Sequence, residues 1–179
     1  AAIESPSTDA VSTTRMADVV AAHMTKRGAQ VTLRPGKKNG AIVQATWPGR
    51  GGKPILLLGH HDTVHPHGSL QRNPPRVENG RCYGPGVYDM KGGLLLAGAA
   101  LEAVHQLNAV LPRPVILLST ADEEISSIES RALIEDMARE AEAVLVLEPA
   151  FPTGALKTAR KGTGTFTVTA HGRPAHAGA

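Results

Sequence analysis

The sequence predicts an α/β fold in which helices cover both faces of a central sheet, and three observations carry that reading. Three apolar runs are continuous rather than alternating: Ile55-Leu56-Leu57-Leu58, Val115-Ile116-Leu117-Leu118 and Ala143-Val144-Leu145-Val146-Leu147. Continuous runs are the pattern of strands buried on both faces. Helical periodicity fills the stretches between them, giving the order strand, helix, strand, helix, strand. Finally, His60, Glu124 and Glu148 stand just past the ends of the runs. Functional groups of such sheets gather beyond the carboxyl ends of the strands.

Residues 9–27 read as the first helix, with Met16, Val19, Val20, His23 and Met24 on one face and Gly28 as a C-terminal stop. Residues 30–33 and 41–47 read as short strands around the turn Pro35-Gly36-Lys37-Lys38-Asn39-Gly40. The segment 65–86, rich in Pro, Gly and Asn, reads as loop with a short hairpin at Asn79-Gly80. Residues 92–108 form a second helical pattern, striped with Leu94, Ala97, Leu101, Val104 and His105, and residues 127–139 a third. Past Glu148 the character changes. Residues 151–159 are loop-like, and residues 163–170 alternate strictly, as a half-exposed strand would. A first domain over residues 1–160 and the opening of a second over 161–179 follow from that break.

Composition narrows the function classes. The 179 residues are 41% hydrophobic and 20% charged, within the range of globular proteins. Aromatics are only 3%, so Ala, Val, Leu and Ile must build the core. The net charge of +3 comes from scattered Lys and Arg without aromatic interleaving, which argues against a nucleic-acid partner. No apolar stretch approaches the roughly 18 residues of a membrane span, so no membrane partner is expected. Cys82 is the sole cysteine. It excludes an intrachain disulfide and fits a reducing, cytoplasmic compartment.

The chemistry sits in four short motifs: Gly59-His60-His61-Asp62-Thr63-Val64, Gly86-Val87-Tyr88-Asp89-Met90-Lys91-Gly92-Gly93, Ala121-Asp122-Glu123-Glu124 and Leu147-Glu148-Pro149. A buried carboxylate is costly unless it is paired or holds a metal. His60, Asp89, Glu124 and Glu148 are therefore candidate metal ligands. In His60-x-Asp62 the carboxylate can orient the imidazole through its other ring nitrogen. A carboxylate has two oxygens, so one Asp can bridge two cations. Adjacent Glu123 and Glu124 can divide their work, one binding metal while the other takes a proton from water. Two cations about 3.5–4 Å apart would activate water and polarise a carbonyl. Each residue also has an ordinary explanation: a strand-end polar group for His60 and Glu148, a helix cap for Asp89, and first-turn acids for the Glu pair.

In this order and at these separations the motifs resemble the dinuclear zinc aminoacylase and carboxypeptidase family, which includes glutamate carboxypeptidases, acetylornithine deacetylases and succinyl-diaminopimelate desuccinylases. The likeness runs from Glu4-Ser5-Pro6-Ser7 to His171-Gly172-Arg173-Pro174-Ala175-His176-Ala177-Gly178. It implies a three-layer sandwich with a mixed, largely parallel central sheet of zinc-exopeptidase type, followed by the start of an α+β lid domain. It implies two zinc ions per complete site, with Co2+ or Mn2+ as substitutes. Asp89 would bridge them, His60 and Glu148 would complete one set of ligands, and Glu124 would bind the second ion. Glu123 would be general base and then general acid, and Asp62 a catalytic carboxylate behind the ligands. His176 would help stabilise the oxyanion. The Asp89–Met90 peptide falls where relatives carry a cis bond.

The resemblance also implies a substrate that is a peptide or N-acyl amino acid, with a free carboxylate, and a homodimer formed through the lid. It implies a fifth ligand, a histidine further along than residue 179. The chain is thus expected to be a fragment of a metallohydrolase, the alternative being an inactive metal-binding or interaction module derived from that family. His61, His65 and His67 are expected to be bystanders, and His105, His171 and Asp122 structural.

Overall fold

The structure is a computed structural model, and it describes residues 3–162, 164–173, 176 and 178. Two compact units divide at 149/150.

The first unit holds a five-stranded sheet in the order β1-β2-β6-β3-β7. Its strands are β1 (Gln30–Arg34), β2 (Ile42–Trp47), β3 (Ile55–His60), β6 (Val115–Thr120) and β7 (Ala143–Val146). β3 pairs in parallel with both β6 and β7, and β2 is antiparallel to both neighbours. Only β2 therefore runs against the others, which is the mixed, largely parallel sheet expected. Side chains alternate across it, as strand geometry requires. Val43, Ala45, Trp47, Leu57 and Leu117 face α1 (Ala10–Thr25) and α3 (Gly92–Gln106). Ile42, Leu56 and Leu118 face Leu133, Ile134, Met137 and Ala138 of α4 (Arg131–Glu140). Helix, sheet and helix make three layers.

Local chemistry sets the element ends. The Asp9 carboxylate caps α1 by accepting from the amides of Val11 and Ser12 and from the Ser12 hydroxyl. α1 buries Thr13, Met16, Ala17, Val20 and Met24, while Val19 is exposed. α3 buries Leu94, Ala97, Gly98 and Leu101, and leaves His105 outside. The loop before α3 contains a short helix α2 (Ser69–Arg72) and the hairpin β4 (Arg76–Glu78) to β5 (Arg81–Tyr83). Asn79 and Gly80, at φ 50° and 72°, supply the left-handed pair that a two-residue hairpin needs.

Three sequence readings need correction. The third helix starts at Arg131, not 127. Ser126 and Ser127 have left-handed backbone, and buried Asp122 accepts from the amides of Glu129 and Ser130. These bonds hold a turn where periodicity alone suggests helix. β7 is not buried: Val144, Leu145 and Val146 are 37%, 54% and 57% exposed, because β7 is the sheet's last strand and pairs on one side only. Residues 164–170 form no strand, although they alternate; Thr163 lies outside the described residues. Alternation marks two faces, but a ladder needs a partner strand, and the described residues of the second unit, 150–179, contain none.

Close approach explains one glycine. A Cβ on Gly93 would lie 2.1 Å from the Leu147 carbonyl oxygen and 3.0 Å from Met90 Cε. The first turn of α3 thus rests on the chain leaving β7. Gly93→Ala is expected to destabilise the protein by about 1–3 kcal/mol, the usual cost of overpacking, and urea unfolding measures it. A midpoint equal to wild type would refute this close contact.

The segment before α1 is tied down by charge. His67 Nε2 lies 2.9 Å from Asp9 Oδ2 and its Nδ1 3.3 Å from Glu4 Oε2. Glu4 also accepts from the amides of Gly68 and Leu70. Hydrogen bonds to Asp9 and Glu4 raise the His67 pKa above its ordinary 6.5, so its contribution is complete below 6.5 and fades as pH rises through the raised value. Bonds from Ser12 and His67 lower Asp9 from 3.8 to about 2, and backbone bonds from Leu70 and Gly68 lower Glu4 from 4.5. Those contributions are present above the ordinary values and lost as pH falls. The stability difference between wild type and His67→Ala is therefore expected to peak between pH 4.5 and 6.5 and to shrink on either side. Thermal melts across pH test it, and a difference that is flat with pH would contradict it.

Candidate metal centre

Parallel pairing of β3 with β6 and β7 brings the carboxyl ends of all three strands to one rim. His60 is the last residue of β3, opposite Thr120, and is 1% exposed. Glu123 and Glu124 open a single 3-10 turn, Glu123–Ile125, three residues beyond β6. Glu148 follows β7. Asp89 sits in the helical turn Val87–Lys91, where its own backbone leaves the helical region (φ −113°, ψ 102°). The Asp89–Met90 peptide is cis. Met90 is fully buried, and its Sδ accepts from the His60 amide at 3.2 Å.

One imidazole faces four carboxylates. His60 Nε2 lies 3.1 Å from Asp89 Oδ1, 3.1 Å from Glu148 Oε1 and 3.8 Å from Glu123 Oε2. Its Nδ1 lies 3.1 Å from the Asp62 carbonyl oxygen and 3.3 Å from Asp62 Oδ1. Two ligand groupings emerge around it: His60 with Glu123 and Glu148, and His60 with Asp89 and Glu124, each with its ligand atoms within 4.8 Å of one another. Asp89 does not cap α3, whose first turn carries no side-chain cap. Glu123 and Glu124 belong to the 3-10 turn and not to α4. The ordinary explanations thus do not fit these three residues.

The electrostatics ask for a cation. Burial works against a charged His60, yet the hydrogen bonds it donates to Asp62 and Glu148 and the charges of Asp62 and Glu123 push its pKa up to about 11. Burial, aided by Glu148, Asp62 and Asp89, raises Glu123 despite the opposing pull of His60. Burial and Asp89 do the same to Glu124. One imidazole surrounded by carboxylate oxygens is a place where a divalent cation would balance the charge. An oxygen-rich set with one imidazole suits a divalent cation.

Asp62 organises the site from behind. It is fully buried and accepts from the Ser7 hydroxyl at 2.7 Å and from the amides of Glu123 and Glu124 at 3.3 and 3.2 Å. Burial opposes its charge, but bonds from His60 and Ser7 hold its pKa below 3.8. Sequence reasoning assigned no role to Ser7 or to Lys91. Lys91 is 5% exposed and donates to the Ile3 carbonyl oxygen at 3.3 Å. Burial lowers its pKa to about 8 despite the attraction of Asp62. Its place directly after the candidate ligand Asp89 and Met90 was the available signal.

The remaining histidines separate. His61 is fully buried, its Nδ1 2.9 Å from Ser119 Oγ, and burial lowers its pKa to about 4. His67 belongs to the clasp with Glu4 and Asp9. His105, His171, His65 and Cys82 are exposed. His176 lies in the second unit, exposed, accepting from the Gly178 amide at 3.1 Å.

The model of Peptidase family M20/M25/M40 matches residues 56–177. The chain belongs to that family. Within it, carboxypeptidase G2 of Pseudomonas sp. (strain RS-16) is 37% identical over 132 residues, covering 73% of this chain and 32% of that protein. Succinyl-diaminopimelate desuccinylase of Halorhodospira halophila is 34% identical over 151 residues, covering 77% and 40%. This M20/M25/M40 chain therefore spans a third to two-fifths of the length of these relatives. Among solved structures, the M20 family metallo-carboxypeptidase Sso-CP2 of Sulfolobus solfataricus superposes at a TM-score of 0.69 with 25% identity, over 84% of this chain and 36% of that one. Human carnosine dipeptidase 1 gives 0.71 at 20% identity, over 83% and 36%, a likeness of fold. Among the described residues no helix is long and apolar enough to cross a membrane.

If the carboxylates await a cation, zinc should stabilise the fold. At 100 times its dissociation constant a ligand adds about 2.7 kcal/mol, or roughly 5–10 °C in a domain of this size. Calorimetry with and without zinc should give that rise in wild type and none in His60→Ala. An equal rise in both would remove His60 from the site.

Proposed function

We propose that this chain is the metal-binding part of a zinc-dependent hydrolase that cleaves amide bonds of peptides or N-acyl amino acids. One observation carries the reading: His60 Nε2 stands 3.1 Å from both Asp89 and Glu148, with the Glu123 carboxylate 3.8 Å away on the same rim. His60, Asp89 and Glu148 would hold one ion, and Asp89 with Glu124 a second. Cobalt or manganese would substitute for zinc. Bound there, the ions supply Lewis acidity toward a water and a carbonyl oxygen.

The chain's own residues supply the proton chemistry. Glu123 takes a proton from the attacking water as its oxygen adds to the carbonyl carbon. It returns that proton to the amide nitrogen as the C–N bond breaks. A base raised above the ordinary carboxylate value suits this work near neutral pH. Asp62 keeps the His60 ring in orientation and fixes the main chain of Glu123. His176 is assigned to the oxyanion on its sequence motif, and residues 161–179 to the start of a lid domain on the same ground. The names of the relatives, a carboxypeptidase and a desuccinylase of a dicarboxylic amino acid, support a substrate with a free carboxylate.

A hydrolysis screen of dipeptides and N-acyl amino acids with the full-length protein and added zinc or cobalt tests the proposal. Within it, Glu123→Gln should lower kcat at least about 100-fold, as for loss of a general base, with the metal content unchanged. Turnover equal to wild type would exclude Glu123 as the base.

A further inference from the structure

The shortest hydrogen bond to the Asp62 carboxylate comes from a residue 55 positions away. Ser7 Oγ donates to Asp62 Oδ2 at 2.7 Å, and Ser7 is 5% exposed. The hydroxyl is also 3.3 Å from the Thr63 carbonyl oxygen.

The segment that carries Ser7 is built into the edge of the site. Ser7 N donates to the Thr63 carbonyl at 3.2 Å, and Thr63 N donates to the Ser5 carbonyl at 2.8 Å. Pro6 forms a parallel bridge with Thr63, and Ser5 Oγ donates to the His61 carbonyl at 2.6 Å. Residues 5–7 therefore run alongside 61–63 and deliver one hydroxyl to one carboxylate oxygen.

That delivery decides how Asp62 is turned. Its Oδ2 is held between the Ser7 hydroxyl and the Glu124 amide, and its Oδ1 then meets the Glu123 amide and His60 Nδ1. A fully buried carboxylate has no water to replace a lost donor. Without the hydroxyl it would rotate toward the remaining donors, and the His60 ring and the Glu123-Glu124 turn would follow.

We infer that Ser7 is a positioning residue for the metal centre: its hydroxyl fixes the Asp62 carboxylate, and through it the His60 ring and the backbone of the Glu123-Glu124 pair. The inference rests on the proposed metallohydrolase reading. Groups that orient metal ligands from behind typically change metal affinity or activity about 10–100-fold when removed.

The test compares wild type, Ser7→Ala and Ser7→Thr in the full-length protein, by cobalt titration followed through its visible absorption and by kcat and KM. The expected result for Ser7→Ala is a loss of about 10–100-fold in cobalt affinity or kcat, an altered cobalt spectrum and little change in KM. Ser7→Thr, which keeps the hydroxyl, should recover most of it. A Ser7→Ala protein that melts lower but binds cobalt with the wild-type affinity and spectrum, and turns over at the wild-type rate, overturns the inference while leaving the hydrolase standing. A wild type that takes up no cobalt overturns both. If Ser7→Ala does not fold, Ser7→Cys, of similar size and a weaker donor, carries the same comparison.

Discussion

Carboxylates repel one another, and this fold gathers five of them, Asp62, Asp89, Glu123, Glu124 and Glu148, around a single imidazole. That is an unfavourable arrangement for a protein whose only concern is stability. Removing charges from water is costly unless each finds a partner. Asp62 is the one carboxylate that the chain satisfies by itself, through the Ser7 hydroxyl and two amides. The other four gather around one imidazole, His60, which cannot serve four. The excess negative charge is what a divalent cation would balance, and the functional reading follows from that imbalance.

The sheet explains how such a cluster is held together. β3, β6 and β7 end at one rim because they are parallel, and each passes a short, differently shaped segment over it. His60 still belongs to its strand, so its position is set by pairing with β6. Glu123 and Glu124 are set by a 3-10 turn whose amides are bound to Asp62. Asp89 arrives on a separate turn that α3 anchors. Gly93 lets that anchor press against the chain leaving β7. The candidate ligands thus share supports: the group behind His60 is also the group under the Glu pair, and the helix behind Asp89 abuts the residue before Glu148.

Much of this was legible in the sequence. Continuous apolar runs located β3 and β6 to within two residues at their ends, because strands buried on both faces leave no polar gaps. The four motifs named residues that the structure brings to one rim. Other features lay beyond one-dimensional reading. The exposure of β7 follows from its place at the end of the sheet order, and its composition is that of an interior strand. The delayed start of α4 depends on Asp122 reaching forward to the amides of Glu129 and Ser130, a tertiary choice that periodicity does not record. Ser7 was legible only as part of the Glu4-Ser5-Pro6-Ser7 motif and took no role there, because a serine has no chemical signature until Asp62 is seen beside it.

Glu123 and Glu124 show how neighbouring identical residues acquire different surroundings. Both amides donate to Asp62, so their main chain is fixed from below. Their side chains then meet different carboxylates. Glu123 falls in a group with His60 and Glu148, and Glu124 in a group with His60 and Asp89. Glu123 is about half exposed and 3.8 Å from the His60 ring nitrogen, further than the 3.1 Å of Asp89 and Glu148. A group that must accept and release a proton needs that slack, since a carboxylate locked as a ligand has its lone pairs committed. The Glu123 side chain is about half exposed above a backbone fixed by Asp62, and that pairing of a held main chain with an accessible side chain supports the proposed assignment of the proton to Glu123.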